Sequence, residues 1–179
     1  MQIPTKEDWL CSLTNPYSAS KYIMEQYLKK RGNYITLRLS NVYGPYQRPE
    51  NPYCGVVNKF IFNALIGNKS KIYSSVGMTR DYTYVDDVVE AVLKAVEEKA
   101  LNTEINIGTG QETALHQLIQ MIGGDYDLVE GRKIDNISRR CLDISKAKEL
   151  LKWEPATKIK RGIVKTKKWI KKEYNEANK

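Results

Sequence analysis

Tyr17 and Lys21 stand four residues apart in the stretch Asn15-Pro16-Tyr17-Ser18-Ala19-Ser20-Lys21. A helix starting at Pro16, a residue suited to a first helical turn because it lacks an N–H and pre-sets φ, puts the phenol and the ammonium on one face. The nearby positive charge favours the phenolate, bringing a tyrosine of intrinsic pKa about 10 towards use as a base near neutrality. Such a pair can take a proton from a substrate hydroxyl while the carbon beneath it loses hydride to a cofactor. The same spacing also fits an ordinary amphipathic helix with Tyr17, Tyr22 and Tyr27 half-buried, and these residues alone leave both readings open.

The elements that must position this pair follow an alternating helix and strand pattern. Residues 1–15 read as loop and residues 16–31 as a helix stopped by Gly32-Asn33. Tyr34 to Leu39 is a short strand rich in β-formers. Asn41 to Tyr53, with Gly44 and three prolines, reads as a long loop. Val56, Val57, Phe60, Ile61, Ala64 and Leu65 fall at helical spacing before Gly67. Lys71 to Tyr73 reads as a brief strand, and Asp86 or Asp87 as the cap of a helix whose face is Val88, Val89, Val92, Leu93 and Val96. Glu104 to Ile107 is a strand leading into Gly108-Thr109-Gly110. A helix then carries Leu115, Leu118, Ile119 and Ile122 up to Gly123-Gly124. After an irregular stretch, Ser145 caps a short helix, and a basic helix with Ile163, Val164, Trp169 and Ile170 turned inward closes the chain. The expected fold class is α/β.

Composition narrows the function classes. The chain has 179 residues, 41% hydrophobic and 28% charged, as expected of a globular domain with a sizeable core. No apolar run approaches the ~18 residues of a membrane span, and Met1 to Asp8 lacks the apolar region of a secretory signal. Three cysteines without C-x-x-C spacing fit free thiols in a reducing compartment, so a cytoplasmic location is expected, and no metal site. The net charge of +8 is concentrated between Lys158 and Lys172. That run fits the solvated face of a helix, and no nucleic-acid motif accompanies it.

Several other punctuated stretches bear on function. Arg38-Leu39-Ser40-Asn41-Val42-Tyr43-Gly44-Pro45 places an amide at the carboxyl end of a parallel strand, where α/β sheets hold ligands. Thr79-Arg80-Asp81-Tyr82-Thr83-Tyr84-Val85-Asp86-Asp87 joins a guanidinium to a helix start. Asn106-Ile107-Gly108-Thr109-Gly110 ends a strand in a turn. Arg132-x-x-Asp135 precedes Asp143-Ile144-Ser145-Lys146-Ala147 and Leu151-Lys152-Trp153-Glu154-Pro155.

In this order and at these spacings, from about residue 4 to about residue 170, the stretches resemble the extended short-chain dehydrogenase/reductases, specifically the NAD-dependent nucleotide-sugar epimerases and dehydratases. The resemblance implies that Tyr17 is the acid/base at the sugar 4-hydroxyl, and that Lys21 binds the nicotinamide ribose and lowers the tyrosine's pKa. Ser40 would touch the nicotinamide through its backbone, and Asn41 would hydrogen-bond the diphosphate. Val56, Val57, Lys71, Ile72 and Tyr73 match segments lining the nucleotide base and ribose. Arg80 and Arg132 would neutralise the diphosphate, which a bidentate fork suits better than a lysine. Asp135 would hold a ribose hydroxyl. Each assignment has a plainer counterpart: Asn41 as a turn residue, Arg80 paired with Asp86 or Asp87, and the tyrosines at 43, 46, 53, 82 and 84 as packing. His116 reads as an ordinary helix side chain.

Relatives begin with a strand and a glycine-rich turn, G-x-x-G-x-x-G, that cradles the cofactor pyrophosphate at a helix N-terminus, and no such stretch occurs in this sequence. The chain therefore reads as the carboxyl-terminal portion of such an enzyme. The resemblance implies an incomplete Rossmann-type parallel sheet over residues 1–55, then a smaller nucleotide-sugar-binding subdomain over 56–179. A Rossmann strand in the 80–100 region would return to the sheet. The implied function is part of a UDP-glucose 4-epimerase-like enzyme using NAD. A 4,6-dehydratase, a decarboxylase, or a non-catalytic nucleotide-sugar-binding subunit are the alternatives. The implied partners are a nucleotide sugar, a separate amino-terminal half, and a second copy pairing through the helix that bears Tyr17.

Overall fold

The structure, a computed structural model, describes residues 3–73, 78–98, 101–131 and 138–177. Helix α1, Pro16–Arg31, starts where the chemistry of Asn15 dictates. The Asn15 side chain accepts from the Ser18 N–H at 2.8 Å and the Ser18 hydroxyl faces the Asn15 N–H at 3.2 Å, a reciprocal cap. Gly32 ends the helix at φ 74°, a left-handed geometry that side-chain-bearing residues rarely adopt.

Strand β1, Ile35–Leu39, leads almost directly into β2, Asn41–Tyr43. The sequence places residue 41 onward in a loop. Its first three residues instead pair in parallel with β5, Tyr82–Tyr84, in the register Asn41↔Tyr82 and Tyr43↔Tyr84. The strand running parallel to β1 is β6, Thr103–Ile107, with Leu39 opposite Ile107. Helix α2, Val56–Leu65, is followed by β3, Ser70–Tyr73. The latter pairs in parallel with β8, Tyr126–Val129, a strand inside the stretch read as irregular. Short β4, Thr79–Arg80, pairs antiparallel with β7, Thr113–Ala114. Helices α3, Val85–Glu97, α4, Leu115–Ile122, α5, Ser145–Leu150, and α6, Ile159–Ala177, complete the chain.

Two apolar clusters hold these elements together. One joins Tyr43, Val57, Phe60, Ile61, Ile72, Tyr82, Tyr84, Leu118, Ile119, Ile122, Ile163 and Ile170. The other packs α3 and α5 on β6 through Val88, Ala91, Ile105, Ile107, Ala147, Leu151 and Trp153. Residues 3–15 are loop as expected, but Thr5 is tied in on both sides of Leu142, donating to Cys141 O at 2.8 Å and accepting from Asp143 N at 2.9 Å.

Several helix expectations change. Helix α3 begins at Val85 behind Tyr84, so Asp86 and Asp87 lie in its first turn rather than capping it. Asp87 instead accepts from the N–H and hydroxyl of Thr157, each at 3.0 Å. Ser145 is the first residue of α5, and its N–H is taken by Asp143 at 2.8 Å. On α3, Val88 is buried while Val89, Val92, Leu93 and Val96 face outward, and on α6 Val164 is exposed. Tyr43, Tyr82 and Tyr84 pack in the core, but Tyr46 and Tyr53 are exposed. Cys54 and Cys141 are buried and Cys11 is exposed, all three as free thiols. No described helix is long and apolar enough to cross a membrane.

Candidate functional site

Tyr17 lies in the first turn of α1 with its ring 71% exposed. One turn on, the Lys21 ammonium sits 5.5 Å from the centre of that ring, close enough for a cation–π attraction. Among the described residues neither side chain is hydrogen-bonded, so phenol and ammonium are both available to a ligand.

Ser40 and Asn41 stand where β1 passes into β2. The Ser40 N–H donates to Ile107 O at 2.8 Å and its hydroxyl shares a 2.6 Å hydrogen bond with Thr83. The Asn41 N–H donates to Asp81 O at 3.0 Å, leaving the exposed Asn41 amide side chain to face outward. Arg80 precedes Asp81 at the end of β4, so strand pairing alone brings Asn41 and Arg80 to one edge of the molecule. Arg80 donates to its neighbour Thr79 O at 2.7 Å and to Ser138 O at 3.2 Å. Asp86 pairs with Lys165 at 3.5 Å, and Asp87 accepts from Thr157.

Two residues that the sequence reading passed over shape this edge. Asp81 is fully buried, and its carboxylate accepts from Thr109 N at 2.9 Å, Gly110 N at 3.2 Å and Leu142 N at 3.3 Å. Burial pushes the Asp81 carboxyl up, against the pull of these donors. The Gly108-Thr109-Gly110 turn is thus wrapped on an acid: a Cβ at Gly108 would lie 2.6 Å from Asp81 Oδ2. Arg140 is the second. Its N–H donates to Thr79 O at 3.2 Å, which sets it beside β4. Its guanidinium is held below the ordinary range by loss of solvation and then by the charge of Arg80. Asp81 stands between β4 and β5, and its contact with the glycine turn leaves no signal in local spacing; Arg140 lies in the stretch read as irregular.

The other expected residues divide by face. Val57 and Ile72 turn into the core, Val56 is half-buried at the start of α2, and Lys71 and Tyr73 face outward from β3. Arg132 and Asp135 lie outside the described residues. The loop from Gly44 to Tyr53 rims an open cleft of about 1110 Å³, which neither Asn41 nor Arg80 lines.

A sequence model of the NAD dependent epimerase/dehydratase family matches residues 2–108. The chain is 36% identical over 173 residues to a UDP-glucose 4-epimerase of Mycolicibacterium smegmatis, covering 91% of this chain and 55% of the relative. It is 30% identical over 151 residues to a UDP-N-acetyl-alpha-D-glucosaminuronate decarboxylase of Bacillus cytotoxicus, covering 78% of this chain and 47% of that one. Its fold superposes with a TM-score of 0.90 on the crystal structure of a Thermotoga maritima UDP-glucose 4-epimerase with UDP-glucose, at 36% identity, over 97% of this chain and 59% of that one. The chain therefore spans about half the length of the curated relatives it matches.

Proposed function

Since the chain belongs to the NAD dependent epimerase/dehydratase family, we propose that it supplies the sugar-nucleotide side of a nucleotide-sugar 4-epimerase acting on UDP-glucose. The observation that supports this reading is backbone placement: Asn41 pairs beside Asp81 and Tyr82, and Arg140 lies beside Thr79, the neighbour of Arg80. Arg80 and Arg140 offer the planar donors that suit a diphosphate, and the Asn41 amide adds a neutral donor. Tyr17 is the group that takes the proton of the sugar 4-hydroxyl, and Lys21 lies one turn away with its ammonium 5.5 Å from the centre of the Tyr17 ring. Val56, Lys71 and Tyr73 would border the nucleoside, with Val57 and Ile72 contributing backbone alone. Arg132 and Asp135 retain the roles that the family resemblance gives them.

NAD would meet this chain at Tyr17, Lys21 and the Ser40 backbone, where the uncommitted phenol and ammonium fit its ribose and nicotinamide. When bound it supplies the hydride acceptor. No glycine-rich stretch in this sequence suits its pyrophosphate, so that contact belongs to a partner segment. The open edge of β1 and the outward apolar face of α3 are where such a segment would pack. The same exposed surfaces support a second reading, in which the chain alone binds a nucleotide sugar without turning it over.

Co-expression with the part of the Mycolicibacterium epimerase that this chain does not match separates the two. The epimerase reading expects interconversion at C4 of UDP-glucose, abolished by Tyr17→Phe. A folded complex that binds UDP-glucose and never converts it would leave only the binding reading.

A further inference from the structure

Of the residues of α1 only Glu25 is buried, although the helix carries Ile23, Met24 and Tyr27. Those apolar side chains face solvent and only Ala19 and Tyr22 are half-buried, so burial of hydrocarbon, the usual anchor of a surface helix, contributes little to holding α1 to the molecule. A chain of ions does so. Arg38 on β1 forms a fork on Glu25, Nε to Oε2 at 2.9 Å and Nη2 to Oε1 at 2.7 Å, and its remaining Nη1 donates to Glu7 O at 2.8 Å. Lys29 bridges onward, 3.5 Å from Glu25 Oε1 and 2.7 Å from Glu104 Oε1 on β6.

Tyr17, Lys21, Glu25 and Lys29 follow at intervals of four, one stripe along the helix. The stripe that carries the proposed acid/base pair at one end is therefore bolted to the sheet at the other. Arg38 on β1 lies two residues before Ser40, so the clamp sits close along the chain to the junction of β1 and β2 where Ser40 and Asn41 stand.

We propose that Glu25 is a positioning residue: its fork with Arg38 fixes the rotation and height of α1, and so aims Tyr17 and Lys21 at the strand end formed by Ser40 and Asn41. The acid/base role of the pair rests on the proposed function; the clamp itself does not. Glu25→Gln keeps one acceptor oxygen but leaves the other half of the Arg38 fork without one, and α1 has only the half-buried Ala19 and Tyr22 as apolar residues to fall back on.

Spin labels at Ser20→Cys on α1 and Gln120→Cys on α4, in a Cys11→Ser background, read the helix position as a distance distribution. Glu25→Gln is expected to broaden that distribution at least twofold. Residues 16–31 should then exchange amide hydrogens at least tenfold faster, with β6 and α4 unchanged. The reversed pair, Glu25→Arg with Arg38→Glu, should narrow the distribution again. Arg38→Lys, which keeps the charge without the fork, should broaden it partially. UDP-glucose affinity of Glu25→Gln, read by calorimetry, should stay within twofold of the parent, because Arg80 and Asn41 are untouched. An unchanged distribution, or loss of protection throughout the molecule, would overturn the positioning role. A parent chain that ignores UDP-glucose yet shows the broadening would overturn the functional reading and leave the clamp standing.

Discussion

At the scale of single residues, the site edge depends on a buried acid that never needs to meet a ligand. Asp81 fastens the turn at residues 108–110 and the chain at Leu142 to the strand bearing Arg80. Gly108→Ala should therefore destabilise by about 1–3 kcal/mol in chemical denaturation, the cost of overpacking, because its Cβ would lie 2.6 Å from Asp81 Oδ2 and 3.2 Å from Leu142 Cβ. A fully stable alanine variant would mean that the turn is not held by that carboxylate. Cys141 offers an independent check on the same region. Burial first, then Asp81 and other acids, push its thiol up to about 11. Its thiolate is thus scarce at pH 8, where native alkylation should mark exposed Cys11 and spare Cys141 and the buried Cys54, whose thiol burial also raises. Rapid labelling of Cys141 in folded protein would contradict its placement.

At the scale of elements, stability near α1 should follow the ionisation of its clamp. Burial raises the Glu104 carboxyl, but donation from Lys29 and the surrounding charges outweigh it and leave its pKa lowered, while Lys29 is raised by the same contact. An acid with a lowered folded pKa contributes stability above its unfolded value and loses it as pH falls through the folded one. Glu104→Gln should therefore weaken the protein at pH 7 and flatten the acid limb of its stability curve below pH about 5; an unaltered acid limb would refute the contribution. Helix α1 also shows what was legible in the sequence. Asn15-Pro16 and Gly32 carry enough local chemistry to fix both of its ends, and the periodicity of α2 and α4 was equally plain. Strands β2 and β8 were not readable, because Asn41–Tyr43 and Tyr126–Val129 gain their structure from pairing with β5 and β3, far along the chain. Asp86 and Asp87 looked like caps because caps are acidic, but Asp87 is spent on Thr157, a partner 70 residues away. Tyr17, Lys21, Asn41 and Arg80 could be singled out from order and spacing; Asp81 and Arg140 matter through contacts that spacing does not encode.

At the scale of the whole molecule, the surface left by α1, β1 and α3 is unfinished. Ile23, Met24 and Tyr27 on α1 and Val89, Val92, Leu93 and Val96 on α3 are exposed, and among the described residues β1 pairs only with β6. Exposed apolar stripes beside an open parallel strand favour association. Sedimentation of the chain alone should show mass rising with concentration, and Val92→Glu with Tyr27→Glu should reduce it; a monomer at every concentration would mean that these faces are tolerated as they stand. The nucleotide-sugar binding we propose does not require that surface, because Asn41, Arg80 and Arg140 sit on the strands and loops around β5. The most direct test is calorimetric titration of the chain with UDP-glucose, repeated with Arg80→Ala. Saturable binding is expected, weakened tenfold to a hundredfold in the variant, roughly the 1.5–3 kcal/mol of a charge-assisted contact. No heat from a folded chain, or binding indifferent to Arg80, would contradict it.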